Sequence, residues 1–290
     1  MLNIIVAPKD FCPRAEKSAK KVAGYLKSRQ EEYSVYFSHD TDELIENVNY
    51  LVGLGESEFV LIGDDRILSQ FVNTVQDLSR IKLGLIPVSR HDDFASYLGI
   101  SSNPIAAIKD VLERQIQNVD ILICNDRRVV NNVVIGASVN IYEAYNNYTW
   151  KNIITEKYAS FKYTKSYSPI NLKIDVKNTK TRTVEVFELI VANGGYSKGK
   201  KLSPLSNVKD GLFNLIYIPE ENRKGLAGKI RTIFNGEHIY ADETAQLWGD
   251  EVKLTSESQN IKAMLDGEVY NLERIDISVK EGALKIYKSN

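Results

Sequence analysis

Apolar residues along the first 120 positions switch between two spacings. Leu2 to Val6 is a short apolar run bounded by Ala7-Pro8, and it predicts a buried strand. Over 14–29, Ala15, Ala19, Val22, Ala23 and Leu26 recur at helical spacing. Tyr33 to Phe37 alternates as a strand, and Leu44, Ile45, Val48 and Leu51 predict a helix over 42–53. Further strands follow at 59–62 and 82–86, with helices at 67–78 and 104–114, the last led by Pro104 in its first turn. Strands alternating with helices at this interval predict βαβ units and a mostly parallel sheet.

Beyond about residue 118 the rhythm changes. Strand patterns dominate at 119–124, 127–135, 170–176, 183–192, 212–218, 251–255, 260–265, 274–279 and 283–288, with one helix at roughly 221–235. Residues 141–165 are rich in Tyr, Asn and Lys and predict an excursion from the sheet. The expected architecture is therefore a Rossmann-like α/β domain over 1–119, then an antiparallel, sandwich-like β domain over 120–290. The last strand is expected to return to the first domain. Ligands of such sheets sit at the carboxyl ends of the strands and in interdomain clefts, which directs attention to loops 7–14, 63–67 and 87–94.

Composition narrows the class. With 43% hydrophobic and 26% charged residues, the chain of 290 residues is an ordinary globular protein. A net charge of -1 gives no ground for nucleic-acid binding. Two scattered cysteines, Cys12 and Cys124, suggest neither a disulfide framework nor a zinc site and fit a reducing cytoplasm. The opening MLNIIVAPKD has no basic flank, and its apolar run is too short for a signal peptide or a membrane span. Membrane contact is expected to be peripheral, with Lys151, Lys157, Lys162 and Lys165 either a contact face or a solvated one.

Several loops carry candidate chemistry. Gly63-Asp64-Asp65-Arg66-Ile67-Leu68 after the third strand could aim amides at a phosphate, or be a plain turn with a capping aspartate. Pro87-Val88-Ser89-Arg90-His91-Asp92-Asp93-Phe94 gathers polar groups at the next strand end. No second histidine near His91 suggests a metal site. Asn193-Gly194-Gly195, Asp210-Gly211 and Asp266-Gly267-Glu268 are tight-turn signals that could equally place functional groups.

In order, these pieces resemble the diacylglycerol-kinase catalytic family, which includes bacterial lipid kinases and sphingosine kinases. The resemblance spans nearly the whole chain. The family's Asn-Pro-x-Ser-Gly stands here as Ala7-Pro8-Lys9-Asp10-Phe11, keeping only Pro8. Its Gly-Gly-Asp-Gly-Thr-Leu-Asn-Glu-x-x-Asn reads Gly63 to Asn73, keeping Gly63, Asp65, Leu68 and Asn73. Its Pro-x-Gly-Thr-x-Asn-Asp-Phe reads Pro87 to Phe94, keeping Pro87, Asp93 and Phe94. The second half follows the pattern more fully. Val119-Asp120, Gly136, Asn193-Gly194-Gly195, Pro204, Asp210-Gly211-Leu212, Asn235-Gly236-Glu237-His238 and Asp266-Gly267-Glu268 appear in the family's order.

The resemblance implies an ATP- and Mg²⁺-dependent kinase acting on a lipid alcohol such as diacylglycerol. Asp266 would be the general base and Glu268 its partner. Pro8, Lys9, Gly63, Asp64, Asp65, Arg66, Ser89, Arg90 and Asp93 would face the nucleotide. Asp65, Asp93, Asp120 and Asp210 would serve the metal. A cytoplasmic protein with peripheral membrane contact, and a homodimer, belong to the same expectation. The altered positions cut both ways. Asp64 adds negative charge and bulk where a glycine lets backbone approach phosphate. Arg66 and Arg90 add phosphate-binding guanidinium groups. Two other readings stay open: a lipid- or nucleotide-binding descendant with weakened or lost catalysis, and an enzyme like the NAD kinases.

Overall fold

A computed structural model of the chain describes residues 1–89, 92–148, 155, 158–159, 162, 168–197, 199–220, 226–241 and 244–289. The α/β part runs β1 (Leu2–Val6), α1 (Ala15–Ser28), β2 (Tyr33–Phe37), α2 (Thr41–Gly53), β3 (Glu58–Gly63), α3 (Asp65–Thr74), β4 (Lys82–Pro87), α4 (Asp93–Tyr97) and α5 (Pro104–Leu112). The β-rich part continues with β5 (Ile116–Cys124), β6 (Arg127–Val129), β7 (Asn132–Gly136), α6 (Ala137–Asn146), β8 (Ile170–Val176) and β9 (Arg182–Ala192). A short ribbon follows, β10 (Tyr196–Ser197) with β11 (Lys200–Lys201), and then β12 (Phe213–Pro219) and α7 (Leu226–Asn235). The chain closes with β13 (Ala245–Gly249), β14 (Glu251–Thr255), β15 (Ile261–Leu265), β16 (Glu268–Leu272) and β17 (Arg274–Tyr287).

Strands β2, β1, β3 and β4 form a parallel sheet, its largely apolar interior strands flanked by helices. Side chains set the helix starts. Asp40 and Asp64 accept the N–H of Glu43 and Ile67, and Asn103 caps α5 just ahead of Pro104. The remaining strands pair with one another antiparallel and fold into a sandwich whose interior holds Leu172, Ile174, Leu189, Val191, Phe213, Leu215, Leu254 and Ile277. The α/β domain followed by an antiparallel β-sandwich is the expected fold class.

One strand joins the two parts. β17 pairs with β14 over Arg274–Ser278, with β5 along most of its length, and in parallel with β4 at Lys285 and Ile286. Between Lys280 and Leu284 its register slips, and Gly282 adopts φ +55. The Asp120 carboxylate fills this bulge, accepting the N–H of Gly282 at 2.7 Å and of Gly211 at 2.9 Å. Asn193, fully buried, ties the neighbouring segment. Its amide donates to the carbonyls of Asp120 (2.8 Å) and Val130 (2.7 Å).

Several elements differ from the sequence expectation. The strand expected over 127–135 is two strands, because the amides of Val130, Asn131 and Asn132 bond to a side chain, Asp266. The strands expected at 274–279 and 283–288 are the two halves of bulged β17. The helix expected over 67–78 stops at Thr74, where Arg128 caps the carbonyls of Val72, Val75 and Gln76. α6 occupies 137–146, the start of the expected excursion, and most of 149–167 lies outside the described residues. So do 221–225, ahead of α7 in the helix expected at 221–235. The short elements α4, β13 and β16 were not anticipated. Among the described residues no helix is long and apolar enough to cross a membrane.

Replacing Asn193 with Ala strands two buried carbonyls. Urea unfolding is expected to show a loss of about 2–4 kcal/mol. A change below about 0.5 kcal/mol, the scale of ordinary surface substitutions, would show that this tie is not structural.

Candidate functional site

The loops after β1, β3 and β4 meet at the carboxyl edge of the parallel sheet, since Val6 pairs with Ile62 and Gly63 with Pro87. Gly63 lies against Ile67, whose Cβ would be 2.9 Å from a Cβ placed on the glycine. The close approach, rather than a left-handed backbone, calls for glycine here. Asp64 caps α3 through its Oδ1 (Ile67 N, 3.2 Å), and its Oδ2 holds Nε and Nη2 of Arg66 at 3.2 and 2.8 Å. Arg66 lies over the Phe11 ring, 5.4 Å from its centroid. Asp65 turns inward and accepts the N–H of Asp93 at 2.9 Å and of Phe94 at 3.2 Å, so it fastens α4 to α3.

Asp93 in turn accepts the N–H of Gly199 at 2.6 Å. Asp92 accepts the N–H of Ser89 at 2.8 Å and is 3% exposed. Its Oδ1 has no hydrogen-bond partner among the described residues. Burial pushes Asp92 up to about 6, aided by the charges of Asp64 and Asp93. Asp65 is pushed well above the usual carboxylate range by burial, and next by the charge of Asp93. Cys12, from the loop after β1, sits beside Asp64, and burial raises its thiol to about 12, so it is an inert filler.

The second domain brings the β15–β16 turn to the same place. Asp266 has φ +46, an uncommon setting for a non-glycine residue, eased by the side chain's bonds to nearby backbone. Its carboxylate accepts the N–H of Val130 (2.7 Å), Asn131 (2.9 Å) and Asn132 (3.1 Å), and it also bonds the Ser69 side chain on α3. Burial outweighs these stabilising donors and raises Asp266 to about 6. Its charge reaches Asp65 across the domain junction. Glu268, two residues on, accepts Gln70 Nε2 at 2.5 Å and the hydroxyl of Tyr270. The Arg127 guanidinium lies 4.3 Å from the Tyr270 ring centroid. A pocket of about 30 Å³ opens here between Ser69, Gln70, Asn73, Arg127, Glu268 and Tyr270.

The structure thus gathers Asp65, Asp92, Asp93, Asp266 and Glu268 around the amino-terminal half of α3, with Gly63, Asp64, Arg66 and Ser89 along the loop edge. Pro8 is buried and turns its loop, accepting the N–H of Phe11 and Cys12, while Lys9 is exposed. Arg90 and His91 lie outside the described residues. Asp120 spends both oxygens on the Gly211 and Gly282 amides, which makes it a tie of the fold in this structure. Asp210 is exposed and caps its own turn at Leu212 N, 3.0 Å away. Ser69, Gln70, Tyr270 and Arg127 were not foreseen. Tyr270 stands two residues beyond Glu268, so strand alternation places both on one face. The amides that grip Asp266 carry no side-chain signal.

Among the described residues no three or more His, Cys, Asp or Glu side chains converge as a ready ligand set. The mutual repulsion of Asp65 and Asp93 nonetheless suits a hard cation that completes its shell with water and phosphate oxygens, as Mg²⁺ does. A nucleotide phosphate fits less well, because Ile67 N at the start of α3 and Asp93 N and Phe94 N at the start of α4 already bond to carboxylates.

Two family models match the chain. The diacylglycerol kinase catalytic domain covers residues 2–124, and the YegS C-terminal NAD kinase beta sandwich-like domain covers 131–288. A protein from Staphylococcus carnosus (strain TM300) with a provisional lipid-kinase name is 27% identical over 254 residues, 84% of this chain and 80% of its own. A crystal structure of a diacylglycerol kinase from Bacillus anthracis str. Sterne superposes with a TM-score of 0.75 at 15% identity, covering 99% of this chain and 96% of that one. An NAD kinase from Archaeoglobus fulgidus in complex with ATP superposes less well, with a TM-score of 0.57 at 13% identity, covering 100% and 94%.

Asp92 stands where the resembled motif has asparagine. Its raised pKa means its contribution to stability is fully present below the ordinary carboxylate value and is lost as pH rises through about 6. Asp92→Asn keeps the acceptor for Ser89 and removes the charge. It is expected to exceed wild type in stability by about 1–3 kcal/mol at pH 8, with the gap closing by about pH 4. Thermal unfolding across pH checks this, and a pH-independent difference would contradict it.

Proposed function

We propose that this chain, which belongs to the diacylglycerol-kinase catalytic and YegS-like lipid-kinase family, transfers a phosphoryl group from ATP to the hydroxyl of a lipid alcohol such as diacylglycerol. The observation that carries the reading is the position of Asp266. It is held by three backbone amides and Ser69 at the domain junction, with Glu268 beside it.

The chain's own groups supply a proton acceptor and its orientation. Asp266, raised to about 6, is ionised at neutral pH yet basic enough to accept a proton from a hydroxyl as that oxygen gains its new bond. Its three amides restrict the carboxylate, so an arriving hydroxyl meets it in one orientation. Glu268, held by Gln70 and Tyr270, accepts a further hydrogen bond from the bound alcohol. Asp65 and Asp93 are the acids we assign to Mg²⁺, which would neutralise charge on the transferred group. Asp120 and Asp210 are further from such a role, since the charges that act most strongly on Asp65 are those of Asp93, Asp92 and Asp266. The lipid reaches the junction from a membrane surface that the protein touches peripherally. Of the lysines weighed for that contact, Lys162 is exposed and Lys151, Lys157 and Lys165 lie outside the described residues.

Turnover is expected to rise from pH 5 to 7 with a midpoint near 6, as Asp266 loses its proton. Asp266→Asn should lower turnover by at least about 10²-fold and abolish that pH limb. Glu268→Gln should retain the limb. Unchanged turnover in the Asp266 variant would remove it from the mechanism.

A further inference from the structure

Five amides at or beside the carboxyl edge of the parallel sheet are occupied from within. Ile67 N bonds to Asp64, Asp93 N and Phe94 N to Asp65, Ser89 N to Asp92, and Gly199 N to Asp93. First-turn helix amides are the donors that bind phosphate in loops of this kind. Among these carboxylates Asp64 differs, because it also engages a cation. Its Oδ2 takes both Nε and Nη2 of Arg66, the contact a guanidinium offers a phosphate oxygen. The Phe11 ring backs the guanidinium, so Arg66 is packed toward Asp64 rather than extended into solvent. The pair is still near the surface, with side-chain exposures of 45% for Arg66 and 13% for Asp64.

We infer that Asp64 is a resident anion that takes the phosphate position of this loop, so that a nucleotide polyphosphate engages Arg66 and the start of α3 only by displacing the Asp64 carboxylate. Asp64 is then a specificity determinant set against polyphosphates, and Arg66 is the phosphate ligand it withholds. The inference rests on reading these loops as the nucleotide side of a lipid-kinase site, and it goes beyond that reading by assigning opposed roles to the two residues.

Calorimetric titration of ATP, and separately of inorganic triphosphate, each with Mg²⁺, into wild type, Asp64→Asn, Arg66→Gln and the double variant tests it. Asparagine keeps an oxygen for Ile67 N, so α3 remains capped while the charge and the ion pair are removed. Asp64→Asn is expected to bind both ligands at least about tenfold tighter than wild type. Arg66→Gln should bind no tighter than wild type, and the double variant should lose most of the gain. Improvement with triphosphate as well as ATP assigns the effect to phosphate rather than to the base. Circular dichroism confirms that each variant is folded.

Equal or weaker binding by Asp64→Asn overturns the inference, as does a gain that survives in the double variant. If wild type and Asp64→Asn bind ATP equally, the inference fails while the kinase reading stands. If no folded variant binds ATP, both fall.

Discussion

The candidate site depends on a single strand. β17 starts in the sandwich beside β14 and finishes beside β4 in the parallel sheet, so both domains share one hydrogen-bonded ladder. A straight strand of 14 residues could not follow the twist of both sheets without a break in register. The break comes at Gly282, and Asp120 fills it with a carboxylate that also holds Gly211. Because the junction is covalent and laddered, the turn carrying Asp266 is placed against α3 with little freedom to drift.

A second set of contacts works from the other side. Asn73 on α3 reads the main chain of Arg128 twice, donating to its carbonyl at 2.8 Å and accepting its N–H at 2.9 Å. Gln70 reaches Glu268, and Ser69 reaches Asp266. Three residues on one helix therefore meet two segments of the sandwich, β6 and the β15–β16 turn. A carboxylate whose role depends on angle gains from such support, since small misplacements weaken proton transfer steeply. The raised pKa of Asp266 follows from the same enclosure. The contacts that position it also leave it only partly exposed, and here burial outweighs the amides.

Much of this was legible in the sequence, for definable reasons. The helical and strand spacings of the first 120 residues are strong because each interior strand is buried on both faces and each helix on one. The domain order followed from the change of rhythm near residue 118, and the attention given to the Asp266-Gly267-Glu268 turn followed from the family resemblance; the family models bear out the family and the order of the two domains. The short elements were hidden. α4 begins only because Asp65, far away in sequence, caps its amides, and β6 and β7 are separate only because Asp266 takes the amides between them. Asp120 shows the limit of motif reasoning. Its position in the chain follows the family, yet its carboxylate is engaged with the backbone of a loop and of a strand bulge that no local pattern connects to it.

The carboxylates at the junction give the site its character. Burial first, and then their mutual repulsion, raise Asp65 and Asp92, and the carboxylates occupy amides that a phosphate would seek. On the function proposed, such a site would favour a divalent cation and an alcohol over a bare polyanion. Whether it turns over is decided most directly by transfer of the labelled terminal phosphate of ATP to a panel of lipid alcohols in mixed micelles with Mg²⁺. The account predicts a labelled lipid phosphate from at least one alcohol, diacylglycerol or a sphingoid base among them. Binding of ATP without a labelled product from any lipid would contradict it.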